Sequence, residues 1–312
     1  MNLEPSKQIN LYGLKNDFLK LVMLFEKNKL PNKLLLSGAK GVGKSTLAYH
    51  LVNYIYSKND LENYNIDQNS INPNNKSFRL IQNKSHPNFY SVDTMEDKKD
   101  IEISQIRKMI SYTNKSSFNN LPKFILIDNV ENLNKSCVNA LLKVTEEPND
   151  NIYFIFIHNN NKKILTTLKS RCIIFKINLS FNSSIEITNK ILKKDIFDLI
   201  NNDILNYYFT PGNYLNLINF ANKNEIDIFA MNLKDFLSLL IDKNFYKKDS
   251  YIEENIYDFM QLYFLKIFIN SDFKKSIMIF YENYIKKIND THQFNLDKES
   301  LFLEFKLKIL NA

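Results

Sequence analysis

The chain is predicted to be an α/β protein: a parallel sheet with helices on both faces, followed by an all-helical second half. Three observations carry this. Short apolar runs alternate with helical patterns up to about residue 178. A glycine-rich stretch, Gly38-Ala-Lys-Gly41-Val-Gly43-Lys44-Ser45, joins one such run to one such helix. Beyond residue 178 the strand signal stops. With 312 residues, 44% of them hydrophobic, two or three domains with real cores are expected.

The elements follow in order. Residues 14–29 form an amphipathic helix, with Leu14, Phe18, Leu21, Val22 and Phe25 on one face. Lys33-Leu-Leu-Leu-Ser37 is a buried strand, and residues 46–56 have apolar side chains at helical spacing. Residues 57–77 are polar and Asn-rich, an exposed loop or insertion. His86 to Val92 predicts a second strand, and residues 103–110 a helix. Lys123-Phe-Ile-Leu-Ile-Asp128 is a buried strand ending in an acid. Lys135–Glu146 is helical, closed by Pro148. Residues 151–158 are a buried strand, 164–169 a short helix and 171–177 a last strand. Helices are expected over 184–200, 214–222, 229–241, 251–269, 273–288 and 298–310, with Pro211-Gly212 as the one strong break. No internal repeat is visible.

Composition excludes several classes. No apolar h-region follows Met1, and no run approaches the ~20 apolar residues of a membrane helix, so a cytoplasmic protein with no membrane partner is expected. Two cysteines, Cys137 and Cys172, cannot build a zinc module and read as reduced thiols. The net charge of +7 has two readings: contact with nucleic acid, or the composition of an AT-biased genome. Only three of the 41 basic residues are arginines, Arg79, Arg107 and Arg171. Where arginine persists, its planar, always-charged fork is expected to matter.

The glycine stretch fits G-x-x-x-x-G-K-[ST], the phosphate-binding loop, and its strand–loop–helix context weighs against a chance turn. Gly38, Gly41, Val42, Gly43, Lys44, Ser45 and Thr46 are the candidate nucleotide-binding residues. Lys44 would reach the β/γ-phosphates and Ser45 would hold Mg²⁺. Asp128, about 80 residues on, would share that Mg²⁺. Asn129 stands where a D-E pair would supply a base. Glu131 is a second acid nearby, read more simply as a helix-start acid. Asn159, after its strand, could reach a γ-phosphate or attacking water, or could be a loop asparagine in an Asn-rich chain. Arg171 could stabilise a phosphoryl group or form a structural salt bridge.

Together these pieces resemble the bacterial clamp-loader branch of the AAA+ ATPases. The carrying residues are loop 38–45; Ile103-Ser-Gln-Ile-Arg107; Ile127-Asp-Asn-Val-Glu131; Asn139-Ala-Leu-Leu-Lys-Val-Thr-Glu-Glu-Pro148; and residues 158–172, ending Ser-Arg171-Cys172. Leu30-Pro-Asn32 and His86-Pro-Asn-Phe-Tyr90 also match. The likeness covers residues 9–177 and is faint beyond, at Thr210-Pro-Gly-Asn213 and Asn295-Leu-Asp-Lys298. It implies ATP or ADP with Mg²⁺ at Lys44, Ser45 and Asp128, Asn159 as a sensor, and Arg171 as an arginine finger acting on a neighbouring subunit. It implies an AAA+ domain over 1–178, a helical lid over 179–242 and a helical collar over 243–312. The implied partners are gamma/tau and delta subunits in a hetero-oligomeric ring, the sliding clamp and, indirectly, primed DNA.

The departures are informative. Many relatives carry a four-cysteine zinc module before the H-P-x-x-Y strand, and this chain has none, so no zinc is expected. The motor subunits keep a D-E pair and a lid arginine. This chain has Asn129 and no arginine after Arg171, so its own ATPase activity within a polymerase holoenzyme is expected to be weak or absent. The alternative is a gamma/tau-type motor; the lack of a tail after residue 312 argues against tau. An unrelated nucleotide kinase would need more arginines around its phosphates.

Overall fold

The computed structural model describes residues 3–58, 60–95, 98–146, 151–160, 162–271, 275–294 and 297–311. Closure of a helix by Pro148, Asn161 and the Asn295-Leu296 part of the C-terminal likeness lie outside them. The chain divides into two compact units, one of Met1–Ile187 with Thr210–Gly212, the other of Thr188–Phe209 with Asn213–Ala312.

The first unit is built on five strands: β1 (Lys33–Gly38), β2 (Phe89–Val92), β3 (Lys123–Ile127), β4 (Ile152–Asn159) and β5 (Ile173–Lys176). Their order is β2-β3-β4-β1-β5, and every pairing is parallel. Side chains alternate across a strand, and here both faces are apolar. Leu34, Leu36, Phe124, Leu126, Ile155 and Ile157 face one cluster, with α1 (Lys15–Glu26), α2 (Lys44–Ser57) and α3 (Lys76–Gln82) over them. Leu35, Ile125, Ile127, Phe154 and Phe156 face the other, covered by α4 (Ile103–Thr113) and α5 (Lys135–Glu146). The strands therefore read as continuous apolar runs. Both cysteines are buried on the second side, where their thiols donate to the Ile101 and Leu168 carbonyls. A four-residue helix, α6 (Thr166–Lys169), precedes β5, whose Ile173 and Ile174 are exposed.

The Asn-rich segment is a loop, but only part of it is exposed. Tyr64 and Ile71 are buried in the core, and α3, which polar composition hides, follows immediately. Hydrogen bonds among side chains replace apolar patterning. Asn75 caps α3 by accepting from Phe78 N at 2.9 Å, while its amide donates to Asp60 at 3.0 Å and to the Glu62 carbonyl at 2.8 Å. From α2, Asn53 donates to Asn75 at 3.2 Å and His50 Nδ1 lies 2.8 Å from the Tyr64 hydroxyl.

The remaining helices are α7 (Phe181–Leu192), α8 (Pro211–Lys223), α9 (Leu233–Asp242), α10 (Phe245–Lys248), α11 (Ser250–Asn270), α12 (Lys275–Phe294) and α13 (Lys298–Phe305), which runs on into a π-helical turn at Lys306–Leu310. Helix α7 stops well short of residue 200, because Lys193 turns left-handed and Asp195 caps a separate short turn. Helix α9 starts late, where Asn232 accepts from Asp235 N at 2.8 Å. Pro211-Gly212 starts α8 rather than breaking a helix; proline at a first helical position gives up an N–H that has no helical partner anyway. Inside the second unit, Phe259 packs edge-on against both Phe209 and Phe236 at 5.3 Å. Among the described residues no helix is long and apolar enough to cross a membrane.

Replacing Asn75 with Ala removes a cap and a buried amide together. A loss of about 1–3 kcal/mol in urea unfolding is expected. Burial holds His50 and His86 each down to about 4 against an ordinary 6.5. The unfolded chain takes up these protons first, so their contribution is present above 6.5 and lost as pH falls through about 4. The loss of stability between about pH 7 and pH 5 should therefore shrink in His50→Gln.

Candidate functional site

All strands point the same way, so the ends of β1, β2, β3 and β4 gather along one edge of the sheet, where open α/β sheets bind ligands. The 38–45 loop leaves β1 there and runs into α2. Gly41 and Gly43 have φ of +86° and +92°, left-handed values that L side chains rarely adopt. Gly43 is the residue before α2, so the free N–H groups of the first turn open directly from the loop.

Lys44 is 3% exposed, and its ammonium donates to the Gly38 and Ala39 carbonyls at 2.9 and 2.6 Å. Burial pushes it down to about 8, against the pull of Asp128 and Glu131. Ser45 donates its hydroxyl to Asp128, which also accepts from Asn129 N at 2.8 Å. Burial, with Asp93 adding to it, pushes the Asp128 carboxyl up to about 6. Both charges are thus poorly solvated: an anion in the loop would favour protonated Lys44, and a cation at Ser45 and Asp128 would favour the carboxylate. Two hard oxygens, one from the first turn of α2 and one from the end of β3, suit Mg²⁺, which takes few protein ligands and fills its shell with water and phosphate. Among the described residues no larger acidic, His or Cys cluster could hold a metal.

Asn159 is placed by pairing: in the β1–β4 register it stands opposite Gly38. It is buried, and its amide donates to Asn129 Oδ1 at 2.7 Å and Glu131 Oε1 at 2.8 Å. Its backbone N–H donates to the same Glu131 carboxylate at 3.2 Å. Asn129, left-handed at φ 53°, donates in turn to Asp93 at 2.6 Å. Glu131 does lie in a short 3₁₀ turn, Val130–Asn132, but it also anchors Asn159, which the helix-start reading misses. Val42 is buried, Thr46 is half-buried, and both belong to the loop–helix junction.

Three further residues join the site, Asp93 unnoticed in the sequence and Thr210 and Gly212 noticed there only as part of a faint likeness. Asp93 directly follows β2 and needs the sheet order to be seen. Thr210 donates to the Lys40 carbonyl at 2.8 Å, and Gly212 N to the Gly41 carbonyl at 3.0 Å. A Cβ on Gly212 would lie 2.6 Å from Gly41 Cα. Four of the chain's five glycines therefore meet at the loop; glycine scarcity was a signal pointing at Gly212 as well.

Arg171 stands apart. It is exposed after α6, and its guanidinium donates to the Thr167 carbonyl at 3.0 Å. Ile173 pairs with Leu34, four residues before Gly38, which is about 13 Å along the strand, and Arg171 lies further back still. It is not brought to this chain's own loop.

The family model described as DNA polymerase III, delta subunit, matches residues 14–180. A DNA polymerase III subunit delta' of Buchnera aphidicola (Baizongia pistaciae) is 28% identical over 176 residues, 54% of this chain and 51% of the relative. A DNA polymerase III subunit gamma of Buchnera aphidicola (Schizaphis graminum) is 34% identical over 172 residues, 54% of this chain and 45% of the relative. The matched region is thus about half the length of these curated relatives. A gamma subunit-related protein from Thermotoga maritima aligns with a TM-score of 0.47 at 15% identity, over 93% of this chain and 97% of that one. The family match takes in every strand of the sheet and more than half of the 312 residues: the chain belongs to the family described as DNA polymerase III, delta subunit.

Proposed function

We propose that this chain is a delta-prime-type clamp-loader subunit: a member of a cytoplasmic hetero-oligomeric ring with gamma/tau and delta subunits that loads the sliding clamp on primed DNA. In this reading it binds nucleotide but is not the motor. Residues 38–46 hold ATP or ADP through loop N–H groups and Lys44, with Ser45 and Asp128 on Mg²⁺. The bound metal supplies charge neutralisation at the phosphates. Residues 179–242 act as the lid and 243–312 as the collar.

The observation that carries this is Asn129. It follows the Mg²⁺-type carboxylate, where a motor needs a base, and its amide is engaged by Asp93 and Asn159. An amide cannot take a proton from water. Arg171 supports the same reading by its place: its guanidinium is on the surface and remote from the chain's own loop. Asn159 acts as the sensor that ties the loop edge to Glu131.

A second reading, a gamma/tau-type motor, is favoured by one observation: the Glu131 carboxylate sits in the site, bonded to Asn159. The two readings separate on the purified chain. Steady ATP hydrolysis by this chain alone, abolished by Lys44→Ala, establishes the motor; nucleotide binding without turnover supports delta-prime.

Lys44→Ala should weaken binding of a fluorescent ATP analogue at least about tenfold. Arg171→Ala should leave that binding unchanged and lower clamp- and DNA-stimulated ATPase of the reconstituted ring about 10³-fold; unchanged ATPase would sink the trans-acting role. Arg171→Lys should not restore it. Gly212→Ala should cost about 1–3 kcal/mol of nucleotide affinity, read by titration, because its Cβ forces the Gly41 peptide to move.

A further inference from the structure

The helical unit contains a cavity of about 500 Å³, within the range of pockets that enclose a ligand group. Phe209, Leu262 and Phe264 are buried at it, while Tyr208, Leu265 and Met278 are 90%, 49% and 44% exposed. Phe264 and Tyr281, from α11 and α12, meet edge-to-face at 5.3 Å and form one wall. Phe268 adds another ring. Asp258, on α11, is the one charged residue among the described residues lining the cavity. No hydrogen bond or ion pair falls on its carboxylate from the described residues.

The rest of the lining is mainly aromatic and aliphatic, with the amides of Asn206, Asn213 and Gln261, and Asp258 stands exposed at it. A ring-walled cavity with one carboxylate at its mouth selects for a cation on an apolar stem. A guanidinium fits best. It is weakly hydrated, stacks on aromatic faces and pairs with a carboxylate through two parallel hydrogen bonds. The exposed tyrosine, leucine and methionine around it favour a polypeptide over a free small molecule, because a guanidinium alone would leave that rim in water. We propose that this cavity is a docking site for an arginine side chain presented by an apolar segment of a partner protein, with Asp258 as its counter-ion and the rings of Phe264, Phe268 and Tyr281 as its walls. None of the residues lining the cavity belongs to the nucleotide loop, and the proposal does not rest on the delta-prime reading. Among the described residues no cation pairs with Asp258, and desolvation raises its pKa, which a guanidinium beside it would reverse.

The test uses the full chain and a peptide capped at both ends, Leu-Arg-Leu, with a citrulline counterpart that keeps the shape and loses the charge. By ligand-observed NMR the arginine peptide should bind saturably in about the millimolar range, and the citrulline peptide at least about tenfold more weakly. Asp258→Asn should erase the difference between them, and Leu265→Arg should abolish binding of both. Equal binding of the two peptides to the unaltered chain overturns the proposal, as does no saturable binding up to about 10 mM. Phenethylguanidine binding as tightly as the arginine peptide would overturn it too, by marking a small-molecule site.

Discussion

The pairing of β1 with β4 is the constraint on which the site depends. It stands Asn159 opposite Gly38, at the first residue of the phosphate-type loop, and through β3 it sets Asp128 beside Ser45. A slip of one residue in a strand moves every side chain to the opposite face. Here such a slip would also exchange two apolar clusters, both nearly fully buried, so the packing of the sheet and the geometry of its edge enforce one another. The precision of the polar chain Asp93–Asn129–Asn159–Glu131 is inherited from apolar side chains on the strands behind it.

That edge is electrostatically unsatisfied by design of its surroundings. Lys44 is charged in a place that disfavours an ammonium, and Asp128 in a place that disfavours a carboxylate. Backbone carbonyls and a serine hydroxyl hold them meanwhile. A phosphate with a divalent cation would relieve both at once, whereas either ion alone relieves one. The arrangement thus favours a metal-bound polyphosphate over a simple anion, independently of whether the polyphosphate is then cleaved.

Most of the first unit was legible because parallel strands buried on both faces are unbroken apolar runs, and the loop between the first run and its helix carries a spaced glycine motif. The second unit was legible as helices but not in their limits. Asn232, Asp195 and Lys193 set those limits through caps and a left-handed residue, features of single side chains that periodicity averages away. Helix α3 was missed because its tether is a web of asparagines rather than a hydrophobic stripe. At the site, Lys44, Ser45 and Asp128 could be named from local motifs. The roles of Asp93, Glu131, Thr210 and Gly212 could not, because each joins the site through a contact distant in sequence; Glu131 was visible only as a nearby acid, and Thr210 and Gly212 only as part of a faint likeness.

Strand β5 carries one more consequence. It closes the sheet on one side, and its far backbone edge has no strand partner among the described residues. Ile173 and Ile174 are exposed there at 62% and 39%. Such an edge can recruit a strand from another molecule, and this one is guarded by Lys169 and Lys176 on either side of the isoleucines. Handling the chain on its own is therefore a colloidal problem as well as a biochemical one. High salt would screen the two lysines and leave the isoleucines exposed, so the conditions that quiet the surface charge are those that would favour pairing at this edge.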